Sequence, residues 1–106
     1  MKLYITNENK GIKAIAEYTP SDKRFIVLKG SEVSYSVSKA PTFRGAKAIL
    51  ALREKYVVER IVQENVTFKS SSTAGNFVTG YSTDGPSTWK DEKGQTLKAL
   101  NEQTKG

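Results

Sequence analysis

The apolar positions of the first forty residues repeat in twos. Leu3-Tyr4-Ile5 reads as a short strand, and Ile12, Ala14, Ala16 and Tyr18 alternate with Lys13, Ile15 and Glu17 in a second. Such alternation puts one set of side chains on each face of a pleated strand. Turn residues bound this strand, Asn9-Lys10-Gly11 before it and Thr19-Pro20-Ser21-Asp22 after it. Phe25-Ile26-Val27-Leu28 is continuously apolar, as expected of a strand covered on both faces, and ends at Lys29-Gly30-Ser31. Val33, Tyr35 and Val37, alternating with Glu32, Ser34, Ser36 and Ser38, predict a further, half-exposed strand.

From Pro41 the spacing turns helical. Thr42 is the expected N-cap of a helix running to about Tyr56, with Pro41 just outside it. At about 100° per residue, Phe43, Ala46, Ile49, Leu50, Leu52, Tyr56 and Val57 share one half of the wheel, the core face. Arg44, Lys47 and Lys55 fall opposite, and Arg53 intrudes on the apolar side, where it is expected to pair or cap. A short strand region over Val57 to Val62 and another at Val66-Thr67-Phe68 follow. Ser70 to Gly80 then has a hydroxyl N-cap, a glycine stop and Ala74, Phe77 and Val78 at helical spacing, which leaves Thr73 and Asn76 outward. After the loop Tyr81 to Ser87 come a strand containing Trp89, the turn Asp91 to Gly94 and a last helix from Thr96 to Leu100. The pattern as a whole predicts one α+β domain over residues 1–106, an N-terminal antiparallel β-meander followed by helices and short strands.

Composition removes much of enzyme chemistry. The 106 residues contain no Cys and no His, so thiolate nucleophiles, disulfides, Cys- or His-ligated metals and the commonest general base near neutral pH are all missing. The carboxylates are scattered, and the only adjacent pair is Asp91-Glu92. Neither catalysis nor a cofactor or metal is expected. Gly75-x4-Gly80-Tyr81-Ser82 comes near a phosphate-binding loop, but Tyr81 stands where that loop needs lysine. No apolar run approaches the roughly 18 residues of a membrane span, and the first residues lack the apolar stretch of a signal peptide, so a cytoplasmic location is expected.

The net charge of +6 is unevenly placed. Between positions 23 and 53, Lys23, Arg24, Lys29, Lys39, Arg44, Lys47 and Arg53 face only Glu32, while residues 57–106 carry six charges of each sign. A local cationic surplus attracts polyanions and releases their counterions on binding. Lys23, Arg24, Lys29, Arg44 and Lys47 are therefore the expected contacts to a nucleic-acid backbone. The loop Tyr81 to Thr88 is the expected recognition surface, since short polar loops held by regular elements are common binding positions. Its candidates, with those of the preceding helix, are Ser72, Thr73, Asn76, Tyr81, Asp84, Ser87, Trp89 and Lys90. Ordinary capping is the favoured reading of the Ser70 to Thr73 run, and Trp89 as the sole indole reads first as a core anchor.

Phe25 to Ser31, Leu52-Arg53, Ser70 to Ala74, Phe77 to Ser82, Asp84-Gly85, Trp89-Lys90 and Gly94 to Leu97 together resemble a small domain-of-unknown-function family. That family is often appended to the C-terminus of GIY-YIG endonucleases and is also found alone. The C-terminal half is also similar to the RAMA domain, the restriction-enzyme adenine-methylase-associated module. The resemblance implies a non-catalytic part of bacterial or phage DNA processing or defence, with DNA as partner. The alternative is a module that docks a nuclease, a methyltransferase or a host factor. Where the family has an aromatic after Asn-Gly, this chain has Pro86 after Asp84-Gly85.

Overall fold

The computed structural model describes residues 1–22 and 24–104. Along the chain the elements are β1 (Lys2–Asn7), β2 (Ile12–Thr19), β3 (Arg24–Val27), α1 (Ala46–Tyr56), β4 (Val57–Val58), β5 (Ile61–Val62), β6 (Val66–Phe68), α2 (Ser71–Thr79), α3 (Gly85–Thr88) and α4 (Leu97–Thr104). A single 3₁₀ turn, Glu8–Lys10, joins β1 to β2. β1, β2, β3 and β6 form one antiparallel sheet in that order, and β4 and β5 form a separate hairpin. The expected α+β architecture with an N-terminal meander is the observed one.

Register explains the core. Leu3 pairs with Ala16, Ile5 with Ala14, Ala16 with Val27 and Phe25 with Phe68, so one face of the sheet carries a continuous apolar surface. α2 closes that face, with the Phe77 ring centroid 5.3 Å from that of Phe68. Trp89 is fully buried with its ring 4.9 Å from Phe25, and its indole Nε1 donates to the Ser71 carbonyl at 3.0 Å. The burial of Phe25 and Val27 alternates with half-exposed Ile26 and Leu28. β3 is thus covered on one face only, and its apolar run does not signal a strand buried on both faces.

Four local expectations change. α1 begins at Ala46, not beside Thr42, because Gly45 interrupts the expected first turn and occupies the cap position without a side-chain cap. The preceding residues fold as turns instead, with Phe43 N donating to Ala40 O and Phe43 buried as their anchor. Leu50, expected in the core, is 54% exposed. The segment from Glu32 to Ser38 is not a strand; Glu32 alone bridges to Lys13 and Ile61. Beyond it, Ser34 N donates to Val78 O and Ser38 N to Gly80 O, so this backbone spends its donors on the end of α2. At the other end of the chain, Trp89 itself is unpaired as a strand residue, and Lys90 makes the bridges to Tyr4 and Thr96.

Candidate functional site

The Ser70 to Thr88 stretch brings most of the expected recognition residues together, and it uses them on itself. Ser70 Oγ accepts from Thr73 N at 3.1 Å and donates to Thr73 Oγ1, which is an N-cap with its hydroxyls satisfied. Ser72 Oγ accepts from Gly85 N at 2.9 Å, and Asn76 Oδ1 accepts from both Thr83 N and Thr83 Oγ1. Asp84 stands at the N-cap position of α3 without a side-chain cap, and its Oδ2 accepts from the Ser87 hydroxyl at 2.6 Å. Ser72 and Asn76 therefore staple the loop to α2, and Asp84 and Ser87 bond to each other within it. Trp89 is in the core and presents no ring to a ligand, whereas Lys90 remains exposed.

Tyr81 has a different setting. Its ring and that of Tyr35 line one open cleft of about 470 Å³, floored by Ser34, Ser36, Ser38, Thr79 and Gly80 and rimmed by Asn9 and Lys10. This volume lies within the roughly 300–1,000 Å³ of typical ligand sites. Four smaller clefts on the described residues each include a carboxylate, and this one includes none. Tyr35 is 68% exposed and Tyr81 36%. Each ring has a cation against it, Lys10 Nζ 4.3 Å from the Tyr81 centroid and the Arg60 guanidinium carbon 4.0 Å from the Tyr35 centroid. Such contacts contribute about 0.5–1 kcal/mol each at exposed sites. Among the described residues the hydroxyls of Tyr35, Ser36 and Tyr81 have no hydrogen-bond partner, in contrast to those of Ser70, Ser72, Thr83 and Ser87.

Two devices build the cleft. The first is Arg53, whose guanidinium donates from Nε to Phe77 O, from Nη1 to Ser34 O, and from Nη2 to Ser34 Oγ and Val78 O, all at 2.9–3.1 Å. It caps the C-terminal carbonyls of α2 and ties the Ser34 segment to them, which meets the expectation that this misplaced cation caps. Burial lowers its pKa to about 10, so it remains charged at neutral pH. Gly80 completes the junction at φ +81, since a Cβ there would collide with Ser36 O and Ser34 Oγ.

The second device is the β4–β5 turn. Glu59 and Arg60 both have positive φ, 50° and 69°, the arrangement of a type I′ turn, whose usual residues are Asn and Gly. For side-chain-bearing residues this conformation costs about 1 kcal/mol or more each. It directs Arg60 Nη1 onto Gly11 O at 3.0 Å and the guanidinium onto Tyr35. Gly11 leaves the room, because a Cβ there would lie 2.6 Å from Arg60 Nη1 and 2.8 Å from the Tyr35 ring. Tyr35, Lys10 and Arg60 were not legible as site residues, and the positive φ of a Glu-Arg pair has no sequence signal.

The expected backbone contacts are spread out. Arg24 alternates with buried Phe25 and so points to the sheet face away from α2. Exposed Lys29 lies in the turn beyond the far end of β3, its N–H held by Asn65 Oδ1. Arg44 and Lys47 are exposed around the start of α1, downstream of the cleft residue Ser38 and the exposed Lys39. Lys23 lies outside the described residues. Among the described residues the one ion pair joins the Met1 amine to Glu17 at 3.2 Å, so no described lysine or arginine is paired with a carboxylate. No helix of the described residues is long and apolar enough to cross a membrane.

No curated protein and no solved structure matches this sequence. A family model does, over residues 3–101, which takes in every strand, the cleft and α2 through the start of α4. On that extent of match the chain belongs to the family described as Domain of unknown function (DUF4357).

Proposed function

We propose that this chain is a non-catalytic accessory domain that binds DNA through the side carrying the Tyr35–Tyr81 cleft, in a bacterial or phage DNA-processing or defence setting such as that of GIY-YIG nucleases or RAMA-type modules. The observation that carries the reading is a surplus of +6 with no lysine or arginine neutralised by a carboxylate among the described residues. Unpaired surface cations are free to neutralise phosphates, which releases the counterions condensed on the polyanion and drives backbone binding. Lys10 and Arg60 flank the cleft, and Lys39, Arg44 and Lys47 lie on the segment that leaves it, which gives the phosphates a track. Arg24 and Lys29 add to the long-range field from other faces.

Fluorescence anisotropy of labelled duplex DNA across a salt series tests this. Four to six neutralised phosphates give a log–log slope of about −4 to −5. Reversal of Arg44 and Lys47 to Glu weakens binding and flattens that slope by roughly two. Absence of binding at about 50 mM salt, where backbone contacts are strong, overturns the reading.

A second reading, docking of a nuclease, methyltransferase or host factor, is favoured by one patch. Leu50, Val58 and Ile61 are 54%, 60% and 41% exposed, and Val58 and Ile61 face each other across the β4–β5 hairpin. Under that reading affinity for the partner survives the Arg44 and Lys47 reversals, as DNA affinity does not.

A further inference from the structure

We propose that the Tyr35–Tyr81 cleft is a pocket for an unpaired nucleobase, stacked on a tyrosine while Lys10 and Arg60 hold the adjoining phosphates. The inference rests on the DNA-binding reading and names the part of the nucleic acid that this site takes.

Four observations converge on that ligand. The cleft is lined by two aromatic rings and no carboxylate, which suits a flat, aromatic, anion-bearing group. A cation lies over each ring, and the rings are 68% and 36% exposed, which leaves aromatic surface for stacking. Among the described residues the hydroxyls of Tyr35, Ser36 and Tyr81 have no hydrogen-bond partner, and they supply the donors and acceptors that a base edge needs. Lastly, Arg60 is kept over Tyr35 by a turn whose backbone would be relaxed with Asn-Gly. Retained strain marks a placement that the fold alone does not require. A proline-rich peptide would also use exposed tyrosines, but cations beside both rings favour a ligand that carries phosphate.

The base of a fully paired duplex is inaccessible to such a pocket, so the ligand comes from a single strand or an extruded nucleotide. The full chain is titrated by anisotropy against oligothymidylate, a strand of equal length built of abasic residues, a fully paired duplex and oligouridylate. Oligothymidylate is expected to bind about tenfold more tightly than the abasic strand. Tyr35→Ala and Tyr81→Ala each weaken oligothymidylate binding about tenfold, with an unchanged salt slope and unchanged duplex affinity. The double substitution Glu59→Asn, Arg60→Gly raises Tm yet weakens the single-strand complex and flattens its slope by about 0.7.

Equal affinity for thymidylate and abasic strands, or indifference to both tyrosine substitutions, overturns the base pocket while leaving backbone binding of duplex intact. Loss of all nucleic-acid binding overturns the pocket and the DNA reading together. A proline-rich peptide that binds where neither strand does also overturns the pocket. Oligouridylate bound at least about tenfold more tightly than oligothymidylate supports the pocket and assigns it to RNA.

Discussion

Two serine-rich stretches, Ser34 to Ser38 and Ser70 to Ser72, are similar in composition and differ in what they leave open to solvent. In the second, Ser70 caps α2 and Ser72 holds Gly85, while Asn76 holds Thr83 on the next turn of the helix. In the first, Ser34 is tied down by Arg53 and donates to Ser36 O, Ser38 Oγ accepts from Ala40 N, and exposed Ser36 and Tyr35 keep hydroxyls with no partner among the described residues. A polar group already hydrogen-bonded by its own fold has little left to offer a ligand, and removing its partner is felt as lost stability. A polar or aromatic group left open contributes little to stability and remains available. Substitutions in the stapled stretch should therefore move stability and not binding, and those in the cleft the reverse.

The largest test is Trp89→Ala. With the indole fully buried against Phe25, truncation lowers unfolding free energy by about 3–5 kcal/mol in urea denaturation. A loss under about 1 kcal/mol would place the ring outside the core, where the recognition role could return. Next is Arg53→Ala, which leaves the Ser34, Phe77 and Val78 carbonyls short of a charged donor and costs about 3 kcal/mol. It also loosens the cleft floor, so the Ser34 amide exchanges faster with deuterium than in the parent. Unchanged exchange there would separate Arg53 from the cleft and weaken the contrast between the two stretches. The smallest effect is that of Asn76→Ala, which strips the acceptor from Thr83 N and costs about 1 kcal/mol. Its DNA affinity should match the parent's in the same anisotropy titration. A tenfold loss of affinity would show that the stapled stretch touches DNA after all.

Much of the fold was legible because period and turn chemistry are local properties. Alternation at Ile12 to Tyr18, the glycine stop at Gly80 and the hydroxyl cap at Ser70 each lead to the observed element. Arg53 was legible as an anomaly, a cation on an apolar helix face, and the structure gives it the capping role that such a position requires. The segment after Glu32 was misread because its alternation is real while its partner is not a strand. The end of α2 takes its amides, a choice made by elements more than forty residues away. The site itself was half legible. Tyr81 stood out beside a glycine stop, whereas Lys10, Tyr35 and Arg60 come from three separate segments and meet only through the β4–β5 turn and the space at Gly11.

The sequence by itself determined the α+β class, the absence of thiol and imidazole chemistry and the cationic surplus, since these follow from composition and near-neighbour spacing. Tertiary structure decided which serines are spent and which cations sit together. It dispersed Arg24, Lys29 and Arg44, and it set Lys10 and Arg60 against two tyrosines. Long-range packing, through the backbone donors of Ser34 and Ser38 and the strained pair Glu59-Arg60, fixes those neighbours, and no local pattern encodes it.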